Sequence, residues 1–127
     1  MLARPPLEGL RVLLVEDNFL LAEITKDLLE QNGCTVVGPT GRVESALKLA
    51  RGEQLDGAIL DINLHGEMSF AVADVLCDRG VPFLFVTGYD DVTILPAALR
   101  WARRLSKPVA DQQLLAVAAE VFTARAG

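Results

Sequence analysis

Three carboxylates stand directly after short apolar runs of this 127-residue chain. Glu16 and Asp17 follow the run VLLV, and Asp61 follows the run AIL. Carboxylates within a few ångströms repel one another, so some of them stay protonated at neutral pH. Mg²⁺ would remove this repulsion, because it is a hard cation that takes oxygen ligands and keeps several waters. We therefore expect Asp17 and Asp61 to bind Mg²⁺ directly, Glu16 directly or through water, and the backbone carbonyl of Asn63 as a further ligand.

A carboxylate can also attack phosphorus and form an acyl phosphate. Asp61 is the best placed for this role, because its apolar run would be central in a sheet and is followed by a turn. Phosphoryl transfer requires neutralisation of the charge on the equatorial oxygens. Mg²⁺, the ammonium of Lys107 and the hydroxyl of Thr87 could supply it. These residues predict a site for phosphoryl chemistry, provided that the fold brings them together.

Two kinds of segment alternate along the chain and would position these side chains. Short runs rich in Val, Ile, Leu and Phe begin near residues 11, 35, 56 and 81, and they resemble strands covered on both faces of a parallel sheet. A fifth, shorter strand is expected at residues 104–106. Apolar residues three or four apart predict helices over 19–33, 42–52, 69–80 and 110–127, with Ser69 and Asp111 as N-caps and Gly80 as a stop. Another helix is expected between residues 90 and 106, where Pro96 excludes a long one.

These β–α units predict an α/β fold with a doubly wound five-stranded parallel sheet and about five helices. Sheets of this kind bind ligands at the carboxyl ends of their strands, near the point where the strand order reverses. If the strand order is 2-1-3-4-5, the acidic residues, the threonine and the lysine all meet at one edge of the sheet.

Composition and charge exclude several classes of protein. The net charge is −5, from 17 acidic residues against 12 Lys and Arg, which argues against nonspecific nucleic-acid binding because that rests on neutralising phosphates. Cys34 and Cys77 are too few for a disulfide framework. No apolar run approaches the roughly 20 residues of a membrane span, and the N-terminus lacks the apolar stretch of a signal peptide. We expect a soluble, cytoplasmic protein that binds neither membrane nor nucleic acid.

Four motifs, VEDN, LDINLHG, FVTG and SKP, occur in this order and together resemble the receiver domain of two-component response regulators. Each is weak singly, but all four at predicted strand ends make the resemblance specific, and it covers about residues 10–122. The resemblance implies a flavodoxin-like fold, with residues 1–9 as an N-terminal tail and 10–124 as the receiver domain. It implies these roles: phosphoacceptor Asp61, Mg²⁺ ligands Glu16 and Asp17, switch hydroxyl Thr87, and phosphoryl partner Lys107.

The resemblance also implies partners. The phosphodonor would be a histidine on a histidine kinase or a histidine phosphotransfer protein, and Asn63 and Tyr89 would tune the dephosphorylation rate. Such a domain is not a conventional turnover enzyme, although it catalyses its own phosphorylation and slow dephosphorylation. Because no output domain follows in this sequence, we expect it to act on an unknown downstream protein or as a phosphate sink or relay.

The sequence departs from the receiver pattern at one switch position. Common receivers carry Tyr or Phe three residues before the lysine, and here that residue is Arg104. An aromatic ring that turns inward on phosphorylation cannot be replaced by an arginine. Tyr89 or Trp101 could take over, or they could be a loop residue and a packing residue respectively. The stretch around FVTG also resembles a subgroup of single-domain receivers with an F-A-T-G motif, with Val86 replacing the alanine.

Two other functions stay open. A pseudo-receiver would bind partners without phosphorylation, although the presence of Asp17, Asp61, Thr87 and Lys107 argues against it. A small phosphatase with an aspartyl nucleophile would favour a second aspartate two residues later as general acid. The sequence has Asn63 there, which cannot serve as an acid. His65, in the loop after Asp61, is interpreted as a plain loop residue.

Overall fold

The structure is a computed structural model that describes residues 6–88 and 95–124. Strands and helices alternate along the chain: β1 (Arg11–Val15), α1 (Phe19–Gln31), β2 (Thr35–Thr40), α2 (Val43–Gly52), β3 (Gly57–Asp61), β4 (Asn63–Leu64), β5 (Glu67–Met68), α3 (Phe70–Arg79), β6 (Phe83–Thr87), β7 (Arg104–Ser106) and α4 (Asp111–Thr123). The main sheet has five parallel strands in the order β2-β1-β3-β6-β7. The predicted doubly wound sheet, of order 2-1-3-4-5, is confirmed.

The two remaining strands form a small antiparallel hairpin directly after β3, with Asn63 opposite Met68 and Leu64 opposite Glu67. This hairpin has no signal in the sequence. Its strands are two residues long, too short for an alternation of apolar and polar residues to show. The hairpin lies between the end of β3 and the start of α3, so it follows Asp61 immediately.

Side chains alternate between the two faces of the central strands, as the pleat of a strand requires. One face packs against α2 and α3 through a cluster that includes Leu13, Leu60 and Phe85. The other face packs against α1 and α4 through Leu14 and Ile59, among others. All residues of β3 and β6 are buried, which explains why their sequences show continuous apolar runs.

Helix ends follow local sequence signals in most places. Asn18 caps α1 because its Oδ1 accepts a hydrogen bond from the N–H of Leu21 at 3.0 Å. Gly80 ends α3 in the left-handed conformation with φ +71°. The predicted N-cap of α4 was wrong: Ala110 holds the cap position and Asp111 is the first helical residue. A carboxylate in the first turn still interacts favourably with the positive end of the helix dipole.

In the described part of the segment between β6 and β7, the structure has no regular α-helix at the place where a helix was expected. Within residues 95–103 the structure contains a 3₁₀ helix at Ala97–Leu99, and Pro96 before it is extended (φ −58°, ψ 148°). Proline has no N–H for a helical hydrogen bond, so a regular helix does not run through it. Residues 89–94, including Tyr89, lie outside the described residues.

The first described residues are part of the packed structure. Residues 6–9, expected to belong to an N-terminal tail, form a turn in which Leu7 is buried in the core on the α1 and α4 side. The backbone carbonyl of Leu7 lies 3.5 Å from the thiol of Cys34, which donates to it, and Gly9 donates to the carbonyl of Gly33. In the part of the chain that is described, no helix is long and apolar enough to cross a membrane.

Candidate functional site

The carboxyl ends of β1, β3 and β7 bring one lysine between two carboxylates. Lys107 directly follows β7, and its Nζ lies 2.9 Å from Oδ2 of Asp61 and 3.0 Å from Oε1 of Glu16. Asp61 ends β3, the central strand, and is only 4% exposed. The ammonium therefore sits beside the acids that follow the first and third strands.

Three carboxylates meet at this edge of the sheet. Oxygens of Glu16, Asp17 and Asp61 all lie within 4.8 Å of one another. Asp61 is buried, whereas the other two are partly exposed. Carboxylate oxygens in this number suit a hard divalent cation, so the cluster could hold a metal ion.

The pKa of Asp61 is raised because its carboxylate is buried beside another carboxylate. Burial is the largest cause of a pKa of about 7 at Asp61; Lys107 opposes this rise, and the negative charge of Glu16 adds to it. Burial also acts against the ammonium of Lys107, but its hydrogen bonds to Asp61 and Glu16 outweigh this effect and raise the pKa of Lys107. One lysine does not compensate the cluster, which favours an additional cation.

Asp17 is oriented by the loop that follows β3. The backbone N–H of His65 donates to Oδ2 of Asp17 at 2.9 Å, and the Nδ1 of His65 lies 3.5 Å from the same oxygen. Burial acts to raise the pKa of Asp17, but the His65 N–H and the hydrogen bond with Glu16 outweigh it and the pKa is lowered. Asp17 is thus held as a carboxylate.

His65 lies in the loop, as the sequence predicts, and its main chain has a more specific role than that of a plain loop residue. It adopts φ +52°, a left-handed conformation that is uncommon for residues other than glycine. The next residue, Gly66, donates its N–H to Oδ1 of Asn63 at 2.7 Å. This turn aims the His65 N–H at Asp17, and no sequence motif reveals such a backbone contact in advance.

Three of the remaining predicted site residues make hydrogen bonds of their own near the ends of their strands. Thr87, which ends β6, is completely buried, and its hydroxyl donates to the carbonyl of Gly88 at 2.9 Å. Arg104 lies at the start of β7 with an exposed side chain that donates to the carbonyl of Arg100 at 3.2 Å. The side chain of Asn63 accepts the turn hydrogen bond described above. Tyr89 falls outside the described residues.

Trp101 stands at the opposite end of the sheet from the cluster. Its ring packs edge-on against Phe83 with centroids 5.6 Å apart, and it is 65% exposed. Phe83 begins β6 whereas Thr87 ends it, a separation of roughly 13 Å at the usual rise per residue of a strand. Trp101 therefore lies too far from Thr87 to contact its hydroxyl.

Sequence reasoning missed Ser69, which contacts the main chain of Asp61. The hydroxyl of Ser69 donates to the backbone carbonyl of Asp61 at 2.7 Å, and Ser69 is completely buried. Serine before a helix is usually an N-cap, and this is how the sequence was interpreted. Ser69 does hold the N-cap position of α3, but its side chain makes no capping hydrogen bond.

An apolar groove lies beside the cluster, between α1 and the start of α4. It has a volume of about 340 Å³, and its lining includes Asp61, Lys107 and apolar side chains from both helices. On this side α1 exposes large apolar side chains to solvent: Leu21 (39% exposed) and Ile24 (49%), which line the groove, and Phe19 (80%) and Leu20 (66%). The phosphoacceptor candidate thus has an apolar surface next to it.

The raised pKa of Asp61 predicts how the metal-free protein responds to pH. The folded-state pKa of about 7 exceeds the ordinary value of 3.8, so the stabilisation from the protonated form is complete below pH 4 and is lost as the pH rises through 7. We expect the free energy of unfolding, measured by urea denaturation in a chelator, to fall by on the order of 2 kcal/mol between pH 5 and pH 8. Asp61→Asn should remove most of this slope, and an unchanged slope in that variant would contradict the assignment.

Comparison with known proteins identifies this arrangement. The family model described as the response regulator receiver domain matches residues 12–119. The chain belongs to the response regulator receiver domain family. No curated protein matches it. Receiver domains are signalling modules of two-component systems rather than conventional enzymes, and as a class they interact with histidine kinases or phosphotransfer proteins.

Solved structures agree with this family. SdrG from Sphingomonas melonis is 38% identical, with a TM-score of 0.75 over 87% of this chain and 94% of that one. The receiver domain of a modulated diguanylate cyclase from Desulfovibrio desulfuricans is 31% identical, with a TM-score of 0.78 over 89% and 93%. The receiver domain of the sensor histidine kinase PA1611 from Pseudomonas aeruginosa, solved with a magnesium ion in its active-site cleft, is 19% identical, with a TM-score of 0.75 over 91% and 99%. At that identity the last comparison shows the fold alone.

Proposed function

We propose that this receiver accepts a phosphoryl group on Asp61 from a phosphohistidine of a histidine kinase or a histidine phosphotransfer protein. The observation that carries the proposal is the geometry around Asp61. It is a buried carboxylate at the end of the central strand, 2.9 Å from the ammonium of Lys107 and within 4.8 Å of the oxygens of Glu16 and Asp17. This arrangement offers one nucleophile together with groups that neutralise the charge of a phosphoryl group.

Mg²⁺ is the metal that we propose for the site. The three carboxylates supply hard oxygen ligands, and burial together with the charge of Glu16 disfavours the carboxylate form of Asp61, which a bound cation would relieve. Glu16, Asp17 and Asp61 would hold the ion, with the backbone carbonyl of Asn63 as a further ligand. The receiver domain of PA1611, which shares this fold, holds magnesium in its active-site cleft. The ion would neutralise charge on the phosphoryl oxygens.

The protein's own residues then have distinct tasks. A carboxylate oxygen of Asp61 forms the bond to phosphorus while the bond between the phosphorus and the donor's imidazole nitrogen breaks. Lys107 stabilises the negative charge that develops on the phosphoryl oxygens. The hydroxyl hydrogen of Thr87, which donates to the carbonyl of Gly88, can turn towards a phosphoryl oxygen because it rotates freely about the Cβ–Oγ1 bond. Asn63 and Tyr89 are the positions that we propose to tune the return to the unphosphorylated state.

The partner surfaces follow from what surrounds the site. A protein donor has to reach Asp61, and the exposed apolar residues of α1, among them Phe19 and Ile24, offer it a contact area beside the acceptor. Exposed apolar patches of this kind often mark sites of protein–protein interaction. The downstream partner is a protein of unknown identity, and nucleic acid and membrane are not expected partners.

The output of this receiver is proposed to run through protein–protein interaction or a phosphate relay. The receiver would span residues 10–124 and act in the cytoplasm, in keeping with its two free cysteines, Cys34 and Cys77. Arg104 is exposed and has no aromatic ring that could turn inward. A movement of Thr87 on phosphorylation would therefore alter the protein surface through another residue. Trp101 packs against Phe83 at the other end of β6, so we propose Tyr89, two residues after Thr87, as the residue that takes over this role.

Two alternatives can be separated by one experiment. A pseudo-receiver would bind its partner unphosphorylated, and an aspartyl phosphatase would need an acid at Asn63, whose side chain instead accepts the Gly66 N–H. The purified chain is incubated with a small acyl-phosphate donor and Mg²⁺, and its intact mass and the free phosphate are measured. We expect one phosphoryl group per chain, and none when a chelator replaces Mg²⁺. No gain in mass would support the pseudo-receiver, and many equivalents of phosphate per minute would support the phosphatase.

A further inference from the structure

We propose that Ser69 is a positioning residue for phosphoryl transfer, because its hydroxyl holds the main chain of Asp61 through a hydrogen bond to the backbone carbonyl. The inference rests on the proposed phosphoacceptor function and adds a residue to it. Ser69 is 0% exposed, and its Oγ lies 2.7 Å from the backbone carbonyl oxygen of Asp61. Core packing alone does not explain a buried hydroxyl whose hydrogen bond, of ordinary length, goes to the acceptor residue.

The position of the Asp61 carbonyl explains why it needs a partner. The ladder between β1 and β3 ends with Val15 opposite Leu60, one residue before Asp61. After Val15 the chain turns to β2, where the N–H of Glu16 donates to the carbonyl of Thr40 at 2.9 Å. A buried carbonyl without a partner is costly, and the Ser69 hydroxyl supplies the donor that β1 no longer offers.

Ser69 also closes the loop that carries the other site groups. Its backbone N–H donates to the carbonyl of Ile62 at 2.9 Å, so adjacent carbonyls at the end of β3 are both bound by one residue. The loop between Ile62 and Ser69 contains Asn63, whose carbonyl is the proposed metal ligand, and His65, whose N–H donates to Asp17. Ser69, at the end of this loop, is therefore bound to Asp61 and Ile62 at its start.

Ser69 differs from an ordinary N-cap serine in the hydrogen bond that its side chain makes. An N-cap serine accepts a hydrogen bond from the first turn of its helix, and Ser69 makes no such bond to α3. Its donor hydrogen is directed at the acceptor residue. Small displacements of reacting groups can lower a rate by about a hundredfold, so the orientation of the Asp61 carboxylate is expected to depend on this contact.

The test measures the rate constant of phosphorylation at saturating acyl phosphate and Mg²⁺. We expect Ser69→Ala to lower this rate constant by about tenfold, with a smaller loss in Ser69→Cys, whose thiol is a weak donor of similar size. Ser45→Ala, a matched substitution in α2, should have the wild-type rate constant. Gly57→Ala, which changes packing at the opposite end of β3, serves as a control for lost stability and should also keep it.

The outcomes separate this proposal from the proposed function. If the wild-type chain takes up no phosphoryl group, the proposed function fails first. If the wild type is phosphorylated and Ser69→Ala has the same saturating rate constant, Ser69 does not position Asp61. If the alanine variant does not fold, the same comparison is made with Ser69→Cys. A loss shared equally by Gly57→Ala would also overturn the proposal, since it would reflect stability alone.

Discussion

Replacing Asp61 by asparagine is expected to abolish uptake of a phosphoryl group from an acyl phosphate, with no modified protein detectable by intact mass. Asparagine has nearly the same shape, so it fills the same buried place beside Lys107. Its amide oxygen carries no negative charge and is a poor nucleophile towards phosphorus. The loss should therefore be complete rather than partial.

The same variant should fold at least as stably as the wild type at pH 8 without metal. Burial and the charge of Glu16 make the Asp61 carboxylate unfavourable, as its raised pKa of about 7 indicates, and the amide removes that charge. Asp78→Asn, an exposed position on α3, is the matched control and should retain full uptake. Phosphorylation of Asp61→Asn at the wild-type level would place the acceptor elsewhere.

Replacing Gly57 by alanine is expected to destabilise the fold by about 1–3 kcal/mol, because it forces an extra methyl group into a packed core. A Cβ at Gly57 would lie 2.5–2.7 Å from three atoms of the Phe122 ring. Phe122, near the end of α4, is itself buried, so the ring cannot move away without leaving the core. The measurement is urea denaturation at pH 8.

Gly52→Ala is the matched control for this substitution. Gly52 ends α2, and a Cβ there would meet no atom within 4 Å, so alanine should leave stability unchanged or raise it by up to about 1 kcal/mol. If both substitutions changed the free energy of unfolding equally, the close contact with Phe122 would not be the cause of the effect at Gly57. Neither change touches the carboxylate cluster, which lies at the other end of β3.

The sheet and the cluster at its edge were predictable from sequence because both follow from simple rules. Continuous apolar runs indicate strands buried on both faces, and parallel strands place their carboxyl ends at one edge. Residues at those ends, such as Asp61 and Lys107, therefore had to come close once the strand order was assumed. Side-chain chemistry at strand ends is the part of this site that residue types and spacing encode directly.

The backbone contacts were not predictable, because they depend on the conformation of single residues. The N–H of His65 reaches Asp17 only because His65 adopts a positive φ, which its residue type does not favour. Ser69 has the sequence signature of a helix cap, and only three-dimensional packing directs its hydroxyl to Asp61. Within the described residues 95–103, the conformation is likewise a short 3₁₀ helix at Ala97–Leu99, which the fold pattern did not indicate.

The most direct test of the account locates the acyl phosphate in the chain. The wild-type protein is phosphorylated with a small acyl phosphate in Mg²⁺, reduced with borohydride, digested and sequenced by mass spectrometry; reduction converts an aspartyl phosphate into homoserine. We predict homoserine at position 61 and at no other aspartate, and none after incubation with a chelator. Homoserine at another position, or an unmodified residue 61 in protein that has gained a phosphoryl group, would contradict the account.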